Sequence, residues 1–309
     1  MDNDERMPPM ISTHPGGASG SASASENFNP TTAVPFDNSG GKCASCAEKP
    51  SPATPSFIYA LGRIVPHIPR VAVAKELLQA AGSTDTAGLT DRQWLHKVIS
   101  MRQNRYLARQ LCWVLTIEGL DTYLLVPRDP TDLELLVEAT RPTPSCMDLD
   151  LVVGVLGPIA PPEACNGLML PIVGVDQVYS FDRDCLIKAI PQPDNVSEKD
   201  FGPIADEIFS RLTQLSDNAG ATDEHRALNY LCVRYPAVYA TAADAYARNF
   251  SLSGVEVRTS RLSGVRRIVD VIFSYANRQT DVTEKYFTRV DVSDEFLFLV
   301  SKMSPYYDR

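Results

Sequence analysis

Large side chains recur at every second position, Phe57, Tyr59 and Leu61, a period of two that predicts a strand, closed by Pro66 and Pro69. The spacing then turns helical. "RVAVAKELLQAAG" ends on Gly82, and "TDRQWLHKVISMRQNRYLARQ" opens with Thr90 as N-cap and Asp91 at the positive end of the helix dipole. Two β-rich runs, "QLCWVLTIEG" and "DTYLLVPRD", flank a turn at Gly119, Leu120 and Asp121, and "DLDLVVGVLGPI" and "LMLPIVGVDQVYSF" supply two more. A helical block follows. Phe201, Ile204, Ile208, Leu212 and Leu215 form one stripe, and "ATDEHRALNYLCVRYP" is capped by Thr222 and stopped by Pro236. Alternation returns at Val269, Val271, Phe273 and Tyr275, then at Val282, Tyr286, Val290 and Val292 beyond the polar "NRQTD", which predicts an antiparallel hairpin. Strands, helices and strands in separate runs predict an α+β fold, a mixed, largely antiparallel sheet with a central helical block.

Residues 1 to about 55 follow neither period. They mix Gly, Ser, Pro, Asn and Thr with too few large apolar side chains to offset the entropy of ordering a backbone, which predicts a disordered tail. The whole chain of 309 residues is 44% hydrophobic, a globular value. Its net charge of −9 is spread along the sequence, so a nucleic-acid partner held through phosphates has no compositional support. The N-terminus is acidic where a secretory signal is basic, and no apolar run approaches the roughly 20 residues that cross a bilayer. A soluble, cytoplasmic protein is expected. Seven cysteines in such a chain are then read as reduced thiols or metal ligands rather than as a disulfide framework.

Candidate chemistry is sparse. The phosphate-loop, dinucleotide-binding, serine-elbow and HExxH patterns are all absent. Cys43 and Cys46 have the CxxC spacing by which two thiolates approach one zinc ion, and a closed site needs two further ligands from among Cys112, Cys146, Cys165, Cys185, Cys232 and His67. Asp223, Glu224 and His225 invite an acid/base reading, although acidic residues in a first helical turn also stabilise the helix through its dipole. Arg258, Arg261, Arg266 and Arg267 could engage acidic groups of a peptide.

At "FIYALGRI", "GLTDRQ", "NRYLARQLCWVLTIEG", "GPIAPPEACNGLMLPIV", "DNAGATDEHRALNYL" and "SRLSGVRRIVDVIFSY" through "SPYYDR", the sequence resembles the C-terminal domain of unknown function of the cyanobactin maturation proteases, the PatG type. The resemblance sets a tail at 1–42 and a domain at 43–309. It implies a stand-alone copy, without the subtilisin-like macrocyclase, acting in trans on a ribosomally made, post-translationally modified peptide. Its expected partner is the precursor or leader peptide, bound as an extended segment along a sheet edge and left chemically unchanged, with other maturation enzymes as further partners. The alternative is an enzyme that modifies or cleaves the precursor. The resemblance also selects Cys43, Cys46, Cys112 and Cys165 as the four thiolates of a structural zinc site.

Overall fold

The alternation at Phe57 to Leu61 becomes β1 (Ser56–His67), the first strand of a closed barrel in this computed structural model, which describes residues 56–82, 88–142, 148–192, 196–215 and 217–307. Both the 1–42 tail and the domain boundary at residue 43 lie outside the described residues. The described residues form one compact unit. The other barrel strands are β2 (Cys112–Ile117), β3 (Leu120–Pro127), β4 (Asp148–Ile159) and β5 (Pro171–Asp182), in the order β1-β2-β3-β5-β4. The β3–β5 pair is parallel and the rest are antiparallel. This is a Greek-key barrel of the OB type.

Closure depends on a corner in β1. The strand pairs with β4 up to Gly62 and with β2 from Arg63. A Cβ at Gly62 would lie 2.6 Å from the Thr116 carbonyl oxygen, so only glycine lets the strands meet there. Past the corner, the Ile64 N–H donates to the buried Asp150 Oδ2 at 2.7 Å. Ile58, Ile64, Trp113, Leu115, Leu125, Val152 and Val173 fill one core with α1 (Val71–Gly82), α2 (Asp91–Ser100), α3 (Arg105–Ala108) and α4 (Leu133–Ala139).

Thr90 caps α2 in a full capping box with Gln93. The expected long helix nevertheless breaks at Met101. A 3-10 turn (Arg102–Asn104) follows, and buried Asn104 donates from Nδ2 to the Val98 carbonyl at 2.9 Å, satisfying an acceptor the broken helix leaves open.

Helices α5 (Arg183–Ala189), α6 (Glu198–Thr213), α7 (Asp223–Arg234) and α8 (Ala237–Ala247) form the central block. They share a core with Tyr59, Leu61, Leu151 and Val153 on the barrel's outer surface. The same core includes Val269, Val271, Phe273 and Val290 from a second sheet of β6 (Phe250–Thr259), β7 (Ile268–Asn277), β8 (Thr283–Asp291) and β9 (Phe298–Pro305), antiparallel throughout. The α+β architecture and the β7–β8 hairpin are as expected, with the strands divided between two sheets. Among the described residues, no helix is long and apolar enough to cross a membrane.

Candidate functional site

Buried amides tie the "DNAGATDEH" segment to the barrel. Asn229 Nδ2 donates to the Tyr59 carbonyl at 2.8 Å, and Asn218 Nδ2 donates to Asn229 Oδ1 at 2.7 Å. Gly220 has φ +73°, and a Cβ on it would meet Ala60 Cα at 2.5 Å. The segment therefore lies directly on β1, with the Tyr59 N–H donating to the Gly220 carbonyl at 2.9 Å.

Beside this contact opens a cleft of about 500 Å³, a size typical of ligand sites. Leu61, Val65, Ile117, Leu149 and Phe209 are among its apolar lining. Its polar lining comes from several elements: Arg63 of β1, Asp148 of β4, Arg183 of α5, Thr213 at the end of α6 with Gln214 after it, and the Asn218–Asn229 pair. The β2–β3 turn contributes Glu118 and Gly119, both at positive φ (+50° and +84°), as a tight hairpin turn demands.

Arg183 is held in place. Its guanidinium stacks over Phe209 at 4.8 Å, donates to Ser210 Oγ at 2.8 Å and pairs with Asp206. Burial, helped by nearby Asp182, pushes the Asp148 carboxyl above the usual aspartate range. Asp148 Oδ2 and Arg183 Nε are both buried and take no hydrogen bond among the described residues.

The zinc expectation is corrected. Among the described residues, no group of three or more His, Cys, Asp or Glu side chains could hold a metal ion. Cys112 and Cys165, expected to offer two thiolates, are joined to each other in a disulfide with Cα atoms 5.9 Å apart. The expectation that all cysteines are thiols or ligands fails with it: β2 and the β4–β5 loop approach closely enough to cross-link, which spacing in sequence does not reveal. Cys43, Cys46 and Cys146 lie outside the described residues. Cys185 is free and exposed, whereas Cys232 is buried against Tyr239.

Glu224 and His225 sit in the first turn of α7, where the His225 N–H donates to the Thr222 cap at 3.2 Å, and neither lines the cleft. Arg258 contacts Glu256 at 3.6 Å and Arg261 is exposed beyond β6. Arg266 pairs with buried Asp291 at 2.9 Å, and Arg267 pairs with Asp223 at 3.1 Å. The last two thus hold the β6–β7 loop to the rest of the fold. The β9 edge is also partly occupied, since the Met303 N–H donates to the Tyr235 hydroxyl at 2.8 Å.

Sequence reasoning missed Arg63, Asp148, Arg183 and Gln214. They converge only once the barrel has closed and α5 and α6 have packed beside it, and none belongs to a spaced motif.

No curated protein matches the chain. A solved structure described as "PatG Domain of Unknown Function" is similar in fold, with a TM-score of 0.65 at 20% identity, covering 81% of this chain and 98% of that one. Residues 195–306, from just before α6 through β9, match the family model described as "PatG C-terminal".

Proposed function

We propose that the protein is an accessory component in the biosynthesis of a ribosomally synthesised, post-translationally modified peptide, binding the precursor or its leader without altering it. The cleft carries this reading. It joins an apolar lining to side-chain amides, hydroxyls and the charged groups of Arg63, Asp148 and Arg183, the mixture that peptide groups satisfy, and among the described residues no Cys, His, Ser or Lys lines it. The PatG C-terminal match supplies the biosynthetic context. We extend the reading to the cytoplasm, where a precursor and its other maturation enzymes meet.

The test is a calorimetric titration of a candidate precursor, with mass spectrometry of the recovered peptide. Binding with unchanged mass is expected, and it should be lost in Gln214→Trp, which puts a bulky ring at an exposed position of the cleft wall. A peptide whose mass changes, with the change abolished by His225→Ala or Glu224→Gln, would make the protein an enzyme instead.

A further inference from the structure

The second sheet buries one face and leaves the other open, and none of the cleft-lining residues lies on it. "RIVDVIFSY" sends Val269, Val271, Phe273 and Tyr275 into the helix-packed core, so Asp270, Ile272 and Ser274 point the opposite way. Register sets Arg258, Asp270 and Arg289 side by side on β6, β7 and β8, with Glu256, Ile272 and Phe287 as the next row. Ile272 would be exposed on a bare sheet, yet it is only 1% accessible.

Arginines and aromatic rings surround it. Arg258 lies over the Tyr306 ring at 5.3 Å and donates to its hydroxyl at 2.6 Å. Tyr306 meets Phe287 edge to face at 5.7 Å, and Arg289 lies over Phe287 at 4.7 Å. Arg266 covers Phe298 at 4.9 Å in the same manner. The carboxylates beneath are already engaged: Asp270 by Arg289 and Asp291 by Arg266, each at 2.9 Å. The layer therefore presents guanidinium edges to solvent beside Lys302, Phe298 (41% exposed) and Val300 (40%), on a protein whose net charge is −9.

We propose that this face docks an extended acidic peptide segment bearing apolar side chains at alternate positions. Carboxylates would meet the N–H edges of Arg258, Arg266 and Arg289, which stacking on rings holds ready at reduced entropic cost, and apolar side chains would cover Phe298 and Val300. The inference rests on the peptide-binding reading for the nature of the partner and adds a surface distinct from the cleft. Aromatic rings with arginines also suit unpaired bases. Glu256, Asp270 and Asp291 lie within the same face, however, and oppose a continuous phosphate chain more than spaced carboxylates.

Fluorescence anisotropy of the full chain tests this with three labelled probes: a peptide of alternating Glu and Leu, its Gln/Leu twin, and an oligothymidylate of equal length. The acidic peptide should bind about tenfold tighter than either other probe, and weaken as salt screens the contact. The double variant Arg258→Glu/Lys302→Glu, with an unchanged melting temperature, should lose about tenfold in affinity for it, while Gln214→Trp should not. Equal or tighter binding of the oligothymidylate, or an acidic peptide indifferent to the double variant, would overturn the proposal. If a precursor loses binding in Gln214→Trp but not in the double variant, this face fails and the cleft reading stands. If it loses binding in the double variant alone, the cleft reading fails and this face stands.

Discussion

Asp150 tests whether the barrel corner is built as described. Where β1 leaves β4 for β2, its carboxyl accepts from the Ile64 N–H at 2.7 Å and from Ser180 Oγ at 2.5 Å. Burial pushes its pKa from the ordinary 3.8 up to about 6, against the lowering effects of these two bonds and of Arg92 and Arg63. The folded state thus holds the proton more tightly than the unfolded chain. Stability from this group is complete below pH 3.8 and is lost as pH rises through about 6. A difference of about two units corresponds to about 3 kcal/mol.

Asp150→Asn mimics the protonated form, since its oxygen can accept from Ile64 and its amide can donate to Ser180 Oγ. In urea titrations from acid to alkaline pH, the variant should match the wild type near pH 4 and exceed it by about 3 kcal/mol near pH 8. Asp150→Ala leaves the Ile64 N–H buried without its acceptor and should fall below Asp150→Asn at every pH by about 1–3 kcal/mol. A wild-type advantage over Asp150→Asn at pH 8 would refute the reasoning, because the ionised carboxylate would then be net stabilising through Arg63 and Arg92. An unchanged pH slope in the variant would refute it equally.

Glu295 titrates in the same direction: burial and the neighbouring Asp176 carboxylate raise it from 4.5 to about 7, so Glu295→Gln should flatten a decline in stability as pH rises through that window in thermal melts. Arg266→Ala should destabilise by about 1–3 kcal/mol in urea unfolding, because it leaves the buried Asp291 carboxylate with the Ser293 N–H but without its cation; an unchanged stability would mean that Arg266 does not compensate it. Gly220→Ala should cost at least about 2 kcal/mol by the same assay, since its Cβ would strike the β1 backbone at a positive φ, and a neutral result would argue against the docking of this segment on β1.

The periodic elements were legible because each buried face imposes its own period. Phe57 to Leu61 alternate because Tyr59 and Leu61 face the helices while Ile58 and Ala60 face the barrel interior, and Thr90 and Thr222 cap their helices as the sequence predicts. The two-sided burial of β1 also explains what the sequence hides: a strand buried on both faces belongs to two cores, and nothing local says that its partners close into a barrel. The short α4 and α5 carry about two turns of pattern each, too little for a period, and α8 is rich in alanine.

The site residues were hidden for a related reason. Arg258, Arg266 and Arg267 stand out as a cluster in sequence, yet Arg267 turns to Asp223 on α7, and Arg266 reaches the open face with its Nε paired to Asp291. Arg289, distant in sequence, joins Arg258 through β7, the strand between them. Arginines adjacent in sequence on a strand point to opposite faces, whereas arginines one strand apart in register share a face. A cationic surface on a sheet is therefore encoded by pairing rather than by runs of charge. The Arg258–Asp270–Arg289 row, with the rings of Phe287 and Tyr306 beside it, could be recognised only once the register of β6, β7 and β8 was fixed.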